Sequence, residues 1–152
     1  MTFPPDILEA VLARSTSQSS SLHGLGHWER VRENGLSLAS ETDGADPEVV
    51  GLFALFHDSM RVNDGHDPDH GRRGSALARE LARLLPLEQW QLEQLTTACD
   101  GHTDGFVSDD PTVGACWDAD RLDLPRVRIQ PEARLLSTAA ARARCSLTRR
   151  WP

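Results

Sequence analysis

Residues 49–58 read VVGLFALFHD, the most apolar segment of the chain, and this segment ends in two adjacent polar side chains, His57 and Asp58. A helix that is apolar on every face must be buried. An imidazole and a carboxylate therefore arrive together at or near the core, where each needs a partner. Successive helical residues point about 100° apart, so both reach one object only when it sits in the wedge between them. A metal ion there satisfies both at once. The competing reading is local: His57 as a C-cap set against the helix dipole, and Asp58 capping a turn. The dipeptide alone does not separate the two.

The rest of the chain is punctuated for helices. Asp46-Pro47, Asp67-Pro68 and Asp110-Pro111 each place a capping carboxylate before a proline at the first helical position. Pro86 and Pro131 open two more stretches in the same manner, and residues 5–14 and 27–41 read as two earlier helices. Val49, Val50, Leu52, Phe53 and Phe56, then Ala76, Leu77, Leu81 and Leu84, recur at helical spacing, while no window shows strand-like alternation. The expectation is an all-α protein, a compact bundle of six or seven helices of roughly 10–18 residues, with a basic C-terminal helix at about 131–148. No repeat or low-complexity linker divides residues 1–152, so one domain is expected. Segments 61–69 and 103–110 are loops rich in Asp and Gly, but neither has the ligand spacing of an EF-hand.

Composition excludes several classes. The 152 residues suit one domain with a real core. No apolar run approaches the ~20 residues of a membrane span, and the start MTFPPDILEA lacks a basic n-region and a continuous apolar h-region. Cys99, Cys116 and Cys145 are widely separated and form no CxxC, which fits a reducing cytoplasm without disulfides or a thiolate zinc site. All 16 basic residues are Arg, so Schiff-base chemistry on a lysine is ruled out. Residues 1–125 carry nine Arg against 22 acids, whereas residues 126–152 carry seven Arg against one acid. The acidic body disfavours general nucleic-acid binding, and the basic segment reads as a solvated helix face before a phosphate-touching one. GxSxG, a P-loop and a strand-to-helix GxGxxG are all absent. Cys99 lies three residues before His102, but a small buried apolar cysteine is the better reading than a nucleophile.

The remaining histidines and aspartates change the weight on His57-Asp58. His27 opens a helix as HWERV, thirty residues before His57, and Asp120 lies in CWDADRLDL, 62 residues after Asp58. The set His27-Trp28-Glu29-Arg30-Val31, Leu55-Phe56-His57-Asp58 and Ala119-Asp120-Arg121-Leu122 resembles the HD superfamily of metal-dependent phosphohydrolases, over about residues 22–125. The resemblance implies a helical bundle around one divalent ion held by His27, His57, Asp58 and Asp120. It also implies that Asp58 orients or deprotonates the attacking water. Asp118 does not share a helix face with Asp120 and is read as standing behind the ligands, though the choice between the two stays open.

Two imidazoles and two carboxylates form a mixed nitrogen and oxygen site suited to Mn, Fe, Co, Ni or Zn. Such an ion lowers the pKa of bound water and polarises a phosphoryl group. Arg30 or Arg121 is then placed to offset charge on phosphate oxygens, or is a surface ion-pair partner. His70, in DPDHGRRGSALA, and His102, in ACDGHTDG, resemble the histidines that dinuclear members add, although the adjacent His-His pair of some branches is missing. They are read either as ligands of a second ion bridged by Asp58 or as substrate-facing phosphate donors. Arg72 and Arg73 are candidates for the anion-recognising side, or are solvated. His23 and His66 read as exposed or at a pocket rim, and Trp28 and Trp117 as core residues before base-stacking ones.

The expected function is a metal-dependent phosphohydrolase acting on a small phosphorylated metabolite, a nucleotide foremost. The alternatives are a diiron oxygenase of the same fold and a non-catalytic ligand-binding module. No membrane partner is expected, and a homo-oligomer is compatible with the sequence.

Overall fold

The computed structural model describes residues 3–148. Residues 1, 2 and 149–152, which the single-domain reading and the C-terminal charge count include, lie outside the described residues. Seven α-helices are seen among the described residues: α1 Pro5–Leu12, α2 Leu25–Ser40, α3 Pro47–Phe56, α4 His70–Glu80, α5 Gln89–Gly101, α6 Pro111–Arg121 and α7 Ala139–Thr148. Three short 3-10 turns, at Ala82–Leu84, Leu124–Val127 and Ala133–Leu135, complete them, and no strand is present among the described residues. The all-α expectation holds. No described helix is long and apolar enough to cross a membrane.

The apolar segment forms the axis of the bundle. Asp46 caps α3 by accepting a hydrogen bond from Glu48 N at 3.0 Å, with Pro47 in the first turn. Val49, Val50, Leu52, Phe53, Ala54, Leu55 and Phe56 are all buried, and α3 lies against α1, α2, α4, α5 and α6. Each large apolar side chain buried there contributes about 1.5–3 kcal/mol. Truncating Phe53 to Ala would cost about 3–5 kcal/mol. It would also remove the floor of the site, because the Phe53 ring stacks on His57 with centroids 4.8 Å apart. Helices α4 and α5 form the second tight pair. A Cβ on Gly71 would lie 2.2 Å from the carbonyl oxygen of Cys99, so only glycine lets the start of α4 approach the end of α5 this closely.

The proline signals divide into two outcomes. Asp110 caps α6 through Thr112 N at 2.8 Å and Val113 N at 3.1 Å, as Asp46 caps α3. Asp67 does not cap α4, which begins at His70: its carboxylate accepts from Val62 N at 2.9 Å and from Arg73 Nη2 at 2.6 Å. The helix expected over 131–148 is shorter and spans Ala139–Thr148. Thr138 Oγ1 accepts from Ala141 N at 3.1 Å and starts it there. The chain before it is held extended by Asp118, which accepts from Ser137 N and Thr138 N, each at 2.7 Å.

Candidate metal centre

Helix ends bring the histidines together. His27 is the third residue of α2, His70 the first of α4, and His57 and His102 directly follow α3 and α5. His27 Nε2 and His57 Nε2 are 3.1 Å apart, and Asp120 Oδ1 lies 3.2 Å from the first and 3.5 Å from the second. Asp58 Oδ2 faces the same pair at 3.4 and 3.6 Å. The other oxygen, Oδ1, faces His70 Nε2 at 3.2 Å and His102 Nε2 at 3.4 Å, and these two nitrogens are 2.9 Å apart. Asp58 is thus shared by two triads that could each hold a metal ion, His27–His57–Asp58 and Asp58–His70–His102.

The outer nitrogen of each ring explains its orientation. Nδ1 of His27 faces Asp123 Oδ2 at 2.6 Å, and Nδ1 of His70 faces the Asp67 carbonyl at 2.5 Å. Nδ1 of His102 faces the Cys99 carbonyl at 2.7 Å, and that of His57 faces the carbonyls of Phe53 and Ala54 at 3.1 Å. These oxygens only accept, so each Nδ1 carries the proton and each Nε2 presents a lone pair inward. Lone pairs about 3 Å apart repel unless a cation lies among them, and ligands about 2.0–2.2 Å from one ion sit at such spacings. An oxygen acceptor behind each ring is the usual support of a metal-bound imidazole. The residues present therefore fit a metal ion.

Electrostatics agree. Burial alone would lower the pKa of His27, but the carboxylates of Asp120, Asp123 and Asp58 outweigh it and push it up to about 10. With only side chains around it, the cluster takes up a proton as its cation. Burial likewise opposes ionisation of Asp58 and Asp120. The imidazole of His57 and hydrogen bonds from His102, His23 and His27 nevertheless hold Asp58 well below the usual carboxylate range, and His27 and His57 do the same for Asp120.

A cavity of about 320 Å³ opens onto this cluster, bordered by Arg61, Thr103, Arg121, Arg126 and His23 as well as by Asp58, His70, His102 and Asp120. Arg121 borders it, but its guanidinium donates to the backbone carbonyls of Gly105, Phe106 and Leu135. Arg30 stands behind the site and donates from Nε to Asp123 at 2.9 Å. Arg72 and Arg73 do not border the cavity: Arg72 lies beside Asp69 at 3.6 Å in solvent, and Arg73 is engaged by Asp67 and the Met60 carbonyl. Asp118 is fully buried away from the histidines, bound to Ser137 and Thr138, whereas Asp120 meets His27 and His57. Trp28 and Trp117 are buried and donate to the carbonyls of His23 and Ala98, so both serve the core. Cys99 is fully buried and its thiol pKa is pushed up by that burial, which removes the nucleophile reading.

Three residues of the site escape sequence reasoning, and a fourth, His23, is read there only as exposed or at a pocket rim. Asp123 follows Asp120 by three residues, and Arg61 follows Asp58 by three, one helical turn each. That spacing is the only sequence signal for either. Arg126 carries none. His23 lies four residues before His27, but Gly24 and Gly26 argue against a shared helix; the structure buries it at 8% exposure, with Nδ1 3.1 Å from Asp58 Oδ2.

The sequence matches no family model and no curated protein. The structure is similar to the crystal structure of a predicted HD superfamily hydrolase from an uncultured Thermotogales bacterium, at a TM-score of 0.73 and 24% identity. The similarity covers 93% of this chain and 82% of that one. The likeness is one of fold: the seven helices seen among the described residues take the arrangement of an HD-domain fold.

Proposed function

We propose that this chain is a single-domain, metal-dependent phosphohydrolase acting on a small phosphorylated metabolite, with a nucleotide as the foremost class. The observation that carries the reading is the convergence of four Nε2 atoms on Asp58, with each ring anchored through Nδ1. His27, His57, Asp58 and Asp120 are assigned to one ion, and His70 and His102 to a second that shares Asp58. A divalent ion in this donor set, of the Mn, Fe, Co, Ni or Zn class, supplies Lewis acidity toward water and a phosphoryl oxygen. Asp58, kept ionised by the imidazoles around it, would orient the attacking water.

An anionic substrate is supported by the arginines at the cavity. Among the described residues, Arg61 Nε is buried without a hydrogen-bond partner, 3.6 Å from Asp58 Oδ1. Arg126 and Arg121 border the same space, so cations face it in a chain of net charge −7. Phosphate oxygens suit such guanidinium groups. Three buried cysteines, widely separated in the sequence, support a cytoplasmic setting.

The second triad favours one further reading, a diiron oxygenase. Metal content per chain, measured on protein purified without oxygen or chelator, separates the two when paired with phosphate release from a nucleotide panel. Stoichiometric metal with phosphate release, both lost in Asp58→Ala, supports the hydrolase. Two irons with oxygen uptake and no phosphate release would replace it with the oxygenase. Ligand binding without any metal would leave a non-catalytic module.

A further inference from the structure

His23 lies outside the motif residues, yet the fold fixes it against the shared ligand. Its segment, between α1 and α2, has no regular structure, so its direction is set by individual hydrogen bonds. Ser20 Oγ accepts from His23 N at 3.0 Å and from Leu22 N at 3.2 Å, and donates to Asp64 Oδ1 at 2.6 Å. The fully buried Trp28 donates from Nε1 to the His23 carbonyl at 2.7 Å, and Arg126 donates from Nε to the Leu22 carbonyl at 2.8 Å. A Cβ on Gly24 would lie 2.3 Å from the Ser20 carbonyl oxygen, so the turn leading out of His23 admits only glycine. Ser17 Oγ ties the same segment to the Asp58 carbonyl at 2.6 Å.

The ring so placed behaves differently from the other four. His27, His57, His70 and His102 turn Nε2 to the centre, whereas His23 turns Nδ1 to Asp58 Oδ2, at 3.1 Å. That contact matches His27 Nδ1 on Asp123, a ring nitrogen on a carboxylate oxygen. We propose that His23 is a positioning residue of the metal centre: by donating from Nδ1 to Asp58 Oδ2 it locks the carboxylate with one oxygen toward each histidine pair. Oδ2 then has His23 on one side and His27 and His57 on the other, while Oδ1 has His70, His102 and the Arg61 guanidinium. Rotation of the carboxylate would break this partition. The inference rests on the metal-centre reading above.

Cobalt titration tests it without reference to turnover. Equilibrium dialysis gives stoichiometry and affinity, and the visible ligand-field spectrum reports geometry at the ion. His23→Leu keeps bulk and removes the donor; His23→Asn returns an N–H near the place of Nδ1. The expected result is about 10–100-fold weaker Co²⁺ binding and an altered spectrum in His23→Leu, with His23→Asn restored to near wild type in both. Wild-type affinity and spectrum in His23→Leu would overturn the proposal, as would His23→Asn behaving like His23→Leu. Thermal unfolding checks that each variant is folded, and His23→Gln, whose amide reaches the Nε2 position, replaces His23→Leu if that variant is not. Failure of the wild-type protein itself to bind Co²⁺ would instead overturn the metal-centre reading, and this inference with it.

Discussion

Asp123 Oδ2 lies 2.6 Å from His27 Nδ1, and the same carboxylate is gripped from its outer side by Arg30 Nε at 2.9 Å. A surface cation thus reaches the candidate metal centre through two contacts, each holding the next group in place. Asp123→Ala is expected to weaken metal binding about 10–100-fold while leaving the ligand set intact. Arg30→Ala, which loosens only the outer contact, is expected to have the smaller effect. Dialysis against a graded metal buffer measures both, and equal affinity in Asp123→Ala and wild type would refute the link.

His27 must be neutral to ligate, but with only side chains around it its pKa is pushed up to about 10. Metal binding near neutral pH should therefore release about one proton per chain from this residue. Calorimetry in buffers of different ionisation heat reads that proton directly, and apparent affinity should rise as pH rises toward 10. The stability consequence for chelated protein has the opposite direction. A raised imidazole contributes stability that is complete below the unfolded value of 6.5 and is lost as pH rises through about 10.

Asp118 and Asp120 stand two residues apart and are expected to fail differently. Asp120→Asn should lose most of its metal affinity. Asp118→Asn should keep its metal and lose about 1–3 kcal/mol of stability, because it leaves Ser137 N and Thr138 N with a poorer acceptor. Metal content and urea unfolding on the same preparations decide it, and the reverse pattern would exchange their roles.

Asp67 is opposed by burial, yet hydrogen bonds from Arg73 and the Val62 backbone bring its carboxyl below the usual range. Its contribution is present above the unfolded carboxylate value and is lost as pH falls through the lower folded one. Asp67→Asn should cost about 1–2 kcal/mol near neutral pH and flatten the acid limb of stability. Unfolding curves at several pH values below 5 test this; identical limbs would mean the pair contributes nothing.

How much of this was legible in the sequence depends on distance along the chain. Asp46 and Asp110 cap the helices their prolines announce, because an Asx cap needs only residues two or three ahead. Asp67-Pro68 carries the same local signal, but its carboxylate is claimed by Arg73 and Val62 across a loop closure that spelling cannot express. His57 and Asp58 are marked by the apolar run, which demands partners for both, whereas His27, Asp120, His70 and His102 stand out only through the resemblance of their short motifs. Arg61 and Asp123 carry only an i+3 spacing to Asp58 and Asp120, while Arg126 acts on Leu22 across 104 residues and nothing local predicts that contact.

Arg121 donates to carbonyls on both Gly105 and Leu135, so one side chain fastens the loop at the cavity mouth to the segment that leads into α7. The two ends of that clasp cannot shift independently. Removing the chain from Leu135 onward would therefore act as an edit of the entrance, felt by whatever enters, and a partner docking on α7 would be pulling on the door frame of the metal centre.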